Sequence, residues 1–226
     1  MIELLLKVLA SYLIGSLIGS LLVGKLRGGV DIRTLGSGNA GGTNALRTQG
    51  KSFAVWVMII DIGKGIIATR VIAAFHPSWI FPAPAGVLVN YDYGALQPWL
   101  PVVCGLAAIV GHVYPIWYGF RGGKGVATLV GVVAALSWQL LAVVLVTWLI
   151  MVMLLGYVSL GSIVATASIA VWVAVTSFDP VLPLLSFGIV AAVLVAYTHR
   201  SNLTRIRAGT EPRARRLWLL GRRRAS

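Results

Sequence analysis

A chain of 226 residues that is 58% hydrophobic, only 11% charged and of mean hydropathy +0.89 is not an ordinary soluble domain, since those carry about 25% charged residues. A net charge of +13 would point to nucleic acid in a soluble protein. Among long apolar runs, the positive-inside bias and attraction to anionic lipid account for it, and no nucleic-acid partner is expected. The runs are continuous in Leu, Val, Ile and Ala and do not alternate as outer-membrane barrel strands do. The expected fold is therefore all-α, a polytopic membrane protein.

The first run, about residues 2–24, reads as a retained span, because Glu3 precedes Lys7 and no clear cationic n-region marks a cleaved leader. Gly15, Ser16, Gly19 and Ser20 give it a small-residue face for close helix contact. A polar loop, 25–52, carries Lys25, Arg27, Arg33, Arg47 and Lys51. Span 2, about 53–74, holds Asp61 and Lys64 at i,i+3, close enough to pair on one helix face. Charges at that depth are costly and mark function by default, although the pair can serve mainly to orient the small-residue loop before it. An outer loop, 75–97, contains His76, which is given no role, and Asp92.

Span 3 covers about 98–112 and includes Cys104, a lone thiol with no activating cation nearby. A second polar loop, 112–124, precedes the apolar run 125–155. Residues 156–162 (Gly-Tyr-Val-Ser-Leu-Gly-Ser) interrupt the hydrophobic pattern, span 6 extends to about 177, and span 7 covers about 183–198. The remainder holds nine arginines, and residues 213–226 are read as an Arg-rich cytoplasmic tail after a membrane domain at 1–212.

Every basic residue except Lys7, Lys64 and Arg70 lies in 25–52, 112–124 or 199–226, whereas the alternate loops offer Asp92 and Asp179. These three regions are therefore expected in the cytoplasm, with the N-terminus outside. Parity then requires an even number of crossings between 124 and 199. The run 125–155 exceeds the ~20 residues of one span and falls short of two full ones. Two short or tilted helices breaking near Ser137-Trp138 give seven spans in all.

Four polar segments would then share one face. In 36–47, four glycines free the backbone to turn toward a ligand, and Ser37, Asn39, Thr43, Asn44 and Arg47 add side-chain donors. Such nests beside an arginine hold phosphate or carboxylate oxygens, although a flexible connector would have the same composition. The turn Gly122-Gly123-Lys124-Gly125 enters a helix, where backbone donors and a lysine make a second anion site. A stop-transfer basic turn explains it equally. Tyr157, Ser159 and Ser162 are either hydroxyl donors or helix breakers. In the last segment His199 adjoins Arg200 and Asn202, with Glu211 nearby. His112, at a span end, reads more simply as an interfacial anchor.

In these segments the chain resembles the bacterial integral-membrane acyl-phosphate:glycerol-3-phosphate acyltransferases. The resemblance is carried by Ser37-Gly38-Asn39-x-Gly41-x-Thr43-Asn44-x-x-Arg47, by Asp61-x-x-Lys64-Gly65, and by Gly111-His112-x-x-Pro115. It continues through Gly122-Gly123-Lys124-Gly125-Val126-Ala127-Thr128, Tyr157-x-Ser159-Leu160-x-Ser162 and His199-Arg200-x-Asn202-x-x-Arg205 with Glu211. Departures are Gly42, where the family more often has alanine, the longer outer loop, and the arginines beyond 212.

The resemblance implies an inner-membrane enzyme that makes 1-acyl-glycerol 3-phosphate and inorganic phosphate from acyl phosphate and glycerol 3-phosphate. Ser37, Arg47, Lys124, His199 and Asn202 are expected to be catalytic. Gly38, Asn39, Thr43, Asn44, Gly122, Gly123, Ser159, Ser162, Arg200 and Glu211 are expected to bind substrate. Neither metal nor cofactor is expected, and partners are the two substrates, anionic inner-leaflet lipid and a soluble acyl-phosphate synthase. The proton acceptor is either His199 or a substrate phosphate oxygen, because the His-x4-Asp pair of the other large glycerolipid acyltransferase class is missing. The competing class is a transporter for phosphate or a phospholipid precursor, which would want inverted repeats and a polar path through the bundle.

Overall fold

The computed structural model describes residues 2–75 and 94–222. His76, Asp92, most of the outer loop, Arg223 and Arg224 lie outside the described residues. All regular structure within them is helical.

The first apolar run is not one rod. α1 (Ile2–Gly15) and α2 (Gly19–Leu26) meet at a 48° bend. The small residues expected as a packing face are used on both sides of it. A Cβ on Gly15 would lie 2.3 Å from Ala108 O, and one on Gly111 2.2 Å from Tyr12 O. α1 and α5 (Leu100–Val113) therefore run almost backbone to backbone, as small-residue interfaces allow.

Between α2 and span 2 lies a short helix, α3 (Gly42–Gln49), inside what composition marks as loop. α4 (Lys51–Ile66) continues through a wider π turn at Ile67–Ile72. The long apolar run breaks where expected: α6 (Val126–Leu136) ends and α7 (Trp138–Leu155) begins around Ser137. The cause is local. Ser137 Oγ accepts from Gln139 N at 3.2 Å and Leu140 N at 3.3 Å, an N-cap that satisfies donors the new helix would otherwise leave open.

α8 (Val158–Thr176) and α9 (Val181–Thr198) complete the bundle, followed by α10 (Arg200–Arg207) and α11 (Leu219–Arg222). The main core joins α5 to α9, with Ile109, Leu129, Leu140, Ile169 and Phe187 all fully buried. Four helical stretches, Gly94–Tyr118, Trp138–Leu155, Val158–Thr176 and Val181–Thr198, are long and apolar enough to cross a membrane. The bent α1–α2 pair makes a fifth. α6, at 11 residues, extends roughly 16 Å against a hydrocarbon core of about 30 Å.

Candidate active site

The 36–47 segment is shaped by its glycines and by one asparagine. Gly36 and Gly38 have φ of +58° and +70°, the left-handed region where an L side chain is strained. Asn44, 2% exposed, ties the loop together from α3. Its Nδ2 faces the carbonyls of Ile32, Leu35 and Asn39, each at 3.0 Å, and its Oδ1 accepts from Ser37 N at 3.0 Å. These bonds use up the amide. Contrary to expectation, Asn44 is a brace for the loop and has no donor left for a ligand. Ser37, Thr43 and Arg47 are exposed, and their side chains make no hydrogen bond to the described residues. A Cβ on Gly41 would lie 3.0 Å from Asn39 Nδ2, so the glycine leaves room for that amide.

The second loop packs against this one through Arg33. Its NH1 donates to Tyr118 O and Arg121 O, both at 3.1 Å, while Asp31 holds the rest of the guanidinium at 2.7 Å. Tyr118 also packs against the buried cluster of Ile18, Leu21 and Ala40. The glycines of the second loop are needed for close approach. A Cβ on Gly122 would sit 1.9 Å from His112 O, and one on Gly123 2.2 Å from His112 Nε2. Their amides donate to Val113 O at 3.2 Å and His112 O at 3.1 Å. Gly122 and Gly123 therefore do not offer those amides to an anion, which corrects the sequence-based expectation. They seat Lys124.

Beneath both loops runs a buried polar spine. His112 is 2% exposed and Asp61 is fully buried, so His112 is not the interfacial anchor its position suggested. Lys64 Nζ places its three hydrogens on Asp61 Oδ1 at 3.0 Å, Leu17 O at 2.8 Å and His112 Nδ1 at 2.9 Å. Asp61 Oδ1 also accepts from Gly19 N at 3.1 Å, and Ser20 Oγ donates to Ala40 O at 2.7 Å. The Asp61–Lys64 pair forms as its spacing predicts. It fixes the bend between α1 and α2, which in turn holds the 36–47 loop.

At the same end, Lys124, Asn202, Glu211, Arg205 and Ser159 form one network. Lys124 Nζ donates to Asn202 Oδ1. Asn202 Nδ2 donates to Glu211 Oε1 at 2.6 Å, as does Ser159 Oγ at 3.1 Å, and Arg205 Nε donates to Glu211 Oε2 at 2.7 Å. Burial would raise the Glu211 carboxyl, but these three donors outweigh it and hold it below the usual carboxylate value. Burial pushes Lys124 down to about 8, offset in part by the Glu211 charge, with Arg205 adding repulsion.

His199, 5% exposed, sits beside this network at the end of α9. Its Nδ1 lies 2.8 Å from Val195 O. A carbonyl can only accept, so Nδ1 carries the proton and Nε2 keeps a lone pair. Burial, then the Lys124 cation, push the imidazole down to about 4, against the Val195 bond and Glu211.

Two expected binders lie elsewhere. Arg200 turns along the outside of α9, its guanidinium 4.3 Å over the Tyr197 ring and bonded to Tyr197 O at 3.1 Å. Ser162 Oγ donates back to Val158 O at 2.9 Å, within its own helix. The network's arginine is instead Arg205. Its spacing, three residues after Asn202 on α10, was the available signal.

An all-helical membrane bundle with a lysine, a histidine and polar loops collected at one end defines an integral-membrane enzyme of anionic substrates. The chain belongs to the glycerol-3-phosphate acyltransferase family, whose model matches residues 5–209, and is an acyltransferase. A glycerol-3-phosphate acyltransferase of Chlorobaculum tepidum is 36% identical over 229 aligned residues, covering 91% of this chain and 94% of the relative. One of Nostoc is 38% identical over 207 residues, covering 91% and 89%. The crystal structure of the integral membrane glycerol 3-phosphate acyltransferase PlsY in its glycerol 3-phosphate form superposes with a TM-score of 0.77 at 35% identity, over 93% of this chain and 94% of that one. Its lysophosphatidic acid form gives 0.75 at 34% identity, with the same coverage.

Proposed function

We propose that this chain transfers an acyl group from acyl phosphate to the sn-1 hydroxyl of glycerol 3-phosphate, at the cytoplasmic face of a bacterial inner membrane. Lys124 carries the reading. It is a half-buried cation whose hydrogen bond goes to neutral Asn202, while the nearby carboxylate of Glu211 is taken by Arg205. It makes no ion pair among the described residues, and burial has already weakened its hold on its proton. A phosphate supplies the charge it lacks. Ser37, Thr43 and Arg47 provide further donors from the other loop, and the likeness to a relative solved in a glycerol 3-phosphate form supports the choice of anion.

Acyl phosphate is a mixed anhydride with a good leaving group, so no covalent enzyme intermediate is required. The sn-1 oxygen adds to the carbonyl carbon, Arg47, Ser37 and Lys124 stabilise the oxyanion, and the bond to phosphate then breaks. The hydroxyl proton needs an acceptor. His199 Nε2 has the lone pair, but an imidazole held near 4 is a weak base. A phosphate monoester with a second pKa of about 6 is stronger. The proposal therefore gives the sn-1 proton to a substrate phosphate oxygen and has His199 Nε2 place the substrate by accepting a hydrogen bond from its other hydroxyl, at sn-2.

The proposed topology keeps seven spans: the α1–α2 pair, α4 with its π turn, α5, a short α6, α7, α8 and α9. The N-terminus is outside and the basic loops are inside. The test is product formation in detergent micelles from acyl phosphate and glycerol 3-phosphate, with inorganic phosphate released in equal amount. A transporter has no turnover without a sealed compartment. Absence of product there removes the reading.

A further inference from the structure

Residues 213–222 run back over the end of α7. Ala214 N donates to Gly156 O at 2.8 Å, and Trp218 Nε1 donates to Leu154 O at 3.2 Å. The Trp218 ring sits on Gly156, where a Cβ would come within 2.9 Å of its Cγ. The Arg213 guanidinium closes over it, 4.0 Å from the Trp218 ring and 4.8 Å from the Tyr157 ring. These contacts lie beyond residue 209, where the match to the family model ends.

The turn that receives the indole also supplies Ser159, whose Oγ reaches Glu211 at 3.1 Å. Glu211 is therefore held from two sides. Upstream, Thr210 N and Glu211 N donate to Arg205 O at 2.9 and 3.2 Å, which joins the residue to the end of α10. α10 has eight residues, of which only Asn202 is buried, so it has little of its own to hold it in place. Downstream, the chain is pinned to the α7–α8 turn by Ala214 and by Trp218. With that pin removed, the Ser159 hydroxyl alone joins Glu211 to α8 among the described residues.

We propose that Trp218 is a positioning residue for the reaction: its ring, seated on Gly156, keeps Glu211 beside Asn202 and so keeps Lys124 in place for the substrate phosphate. Trp218 acts through the Glu211 Oε1–Asn202 Nδ2 bond of 2.6 Å and the bond from Lys124 to Asn202. The charged groups facing Lys124 are Glu211, which stabilises the ammonium, and Arg205, which opposes it. His199, on α9, is neutral in the range where Lys124 titrates, its own pKa pushed down to about 4. When the segment lifts from the turn, Glu211 moves off, Arg205 loses its partner, and Lys124 gives up its proton more easily. The proposal rests on the reading of Lys124 as the cation that holds phosphate.

Binding of glycerol 3-phosphate to the full chain in detergent is measured by calorimetry at pH values on either side of the Lys124 value of about 8. Affinity in the wild type should fall as pH rises through that value. Trp218→Ala should start this fall about half a unit lower, which on the alkaline side is a Kd about threefold weaker. Trp218→Phe, which keeps a ring on Gly156 and beneath Arg213, should recover most of the shift. On a Glu211→Gln background, where the charge is already gone, Trp218→Ala should add nothing. A wild-type pH dependence in Trp218→Ala overturns the proposal. So does a phenylalanine variant shifted as far as the alanine one, or an alanine effect undiminished in Glu211→Gln. A wild type with no alkaline fall removes the reading of Lys124 and the proposal with it, an outcome distinct from a normal wild type beside an unchanged Trp218→Ala.

Discussion

Asn202 stands between Lys124 and Glu211, accepting from the lysine through Oδ1 and donating to the carboxylate through Nδ2 at 2.6 Å. A neutral amide faces a cation with its oxygen and an anion with its nitrogen without adding charge. Asn202→Asp should close an ion pair on Lys124 and repel Glu211. The lysine then has its counterion, and a substrate phosphate must displace it. We expect KM for glycerol 3-phosphate to rise about tenfold or more, roughly 1.4 kcal/mol. Steady-state kinetics at saturating acyl phosphate reads this directly, and an unchanged KM means Lys124 does not hold that phosphate.

Lys124 also sets a pH limit. With its pKa pushed down to about 8, the ammonium is present below that value and lost above it. kcat/KM should therefore fall as pH rises past about 8. The substrate phosphate, doubly ionised above about 6, gives no limb in that range. In Lys124→Arg the guanidinium stays charged throughout, so the alkaline limb should disappear even if the maximum rate is lower. A limb that persists near pH 8 in this variant belongs to another group.

For His199 the two proton acceptors predict different rates. If Nε2 takes the proton, His199→Gln should lose the factor of about 10² to 10⁴ that general-base catalysis contributes. If the phosphate takes it, glutamine Oε1 can still accept from the sn-2 hydroxyl and place the substrate, and the loss should be about tenfold with an acid limb that stays near pH 6. The second outcome is expected, because burial and Lys124 hold the imidazole far below neutrality. His199→Ala, which offers the sn-2 hydroxyl no acceptor, should be the weaker enzyme of the two.

Much of this was legible in the chain. Apolar runs gave the helical membrane class, and the excess length of 125–155 located the break at Ser137. The resemblance to the family's motifs brought Lys124, Asn202, Ser159 and Glu211 into one list. What failed was the direction of individual bonds. Gly122 and Gly123 look like free amides in a sequence, yet their close packing on the end of α5 gives those amides to Val113 O and His112 O. Asn44 looks like a ligand donor and is consumed by four backbone groups. His112 and Arg200 went astray because burial and the outward turn of a side chain on α10 are tertiary facts with no local signature. The packing of Trp218 on the Gly156 turn, where its Nε1 donates to Leu154 O at 3.2 Å, was hidden for the same reason, since a run of arginines says nothing about the tryptophan among them.

The buried spine makes the last prediction. Asp61 is the carboxylate that Lys64, Gly19 N and His112 all face, at 3.0, 3.1 and 3.5 Å. Asp61→Asn keeps the shape but leaves the buried Lys64 ammonium among neutral acceptors with no counterion. Breaking a buried pair in this way typically costs about 3–5 kcal/mol, so the melting temperature in detergent should drop steeply. Asp61→Asn/Lys64→Met removes the stranded charge and should melt above the single variant, a coupling that two independent sites would not show. Activity should be lost in both, because His112 and Lys64 position the Gly123 turn and the α1–α2 bend under the two loops. A single variant that melts with the wild type would leave the spine no structural role.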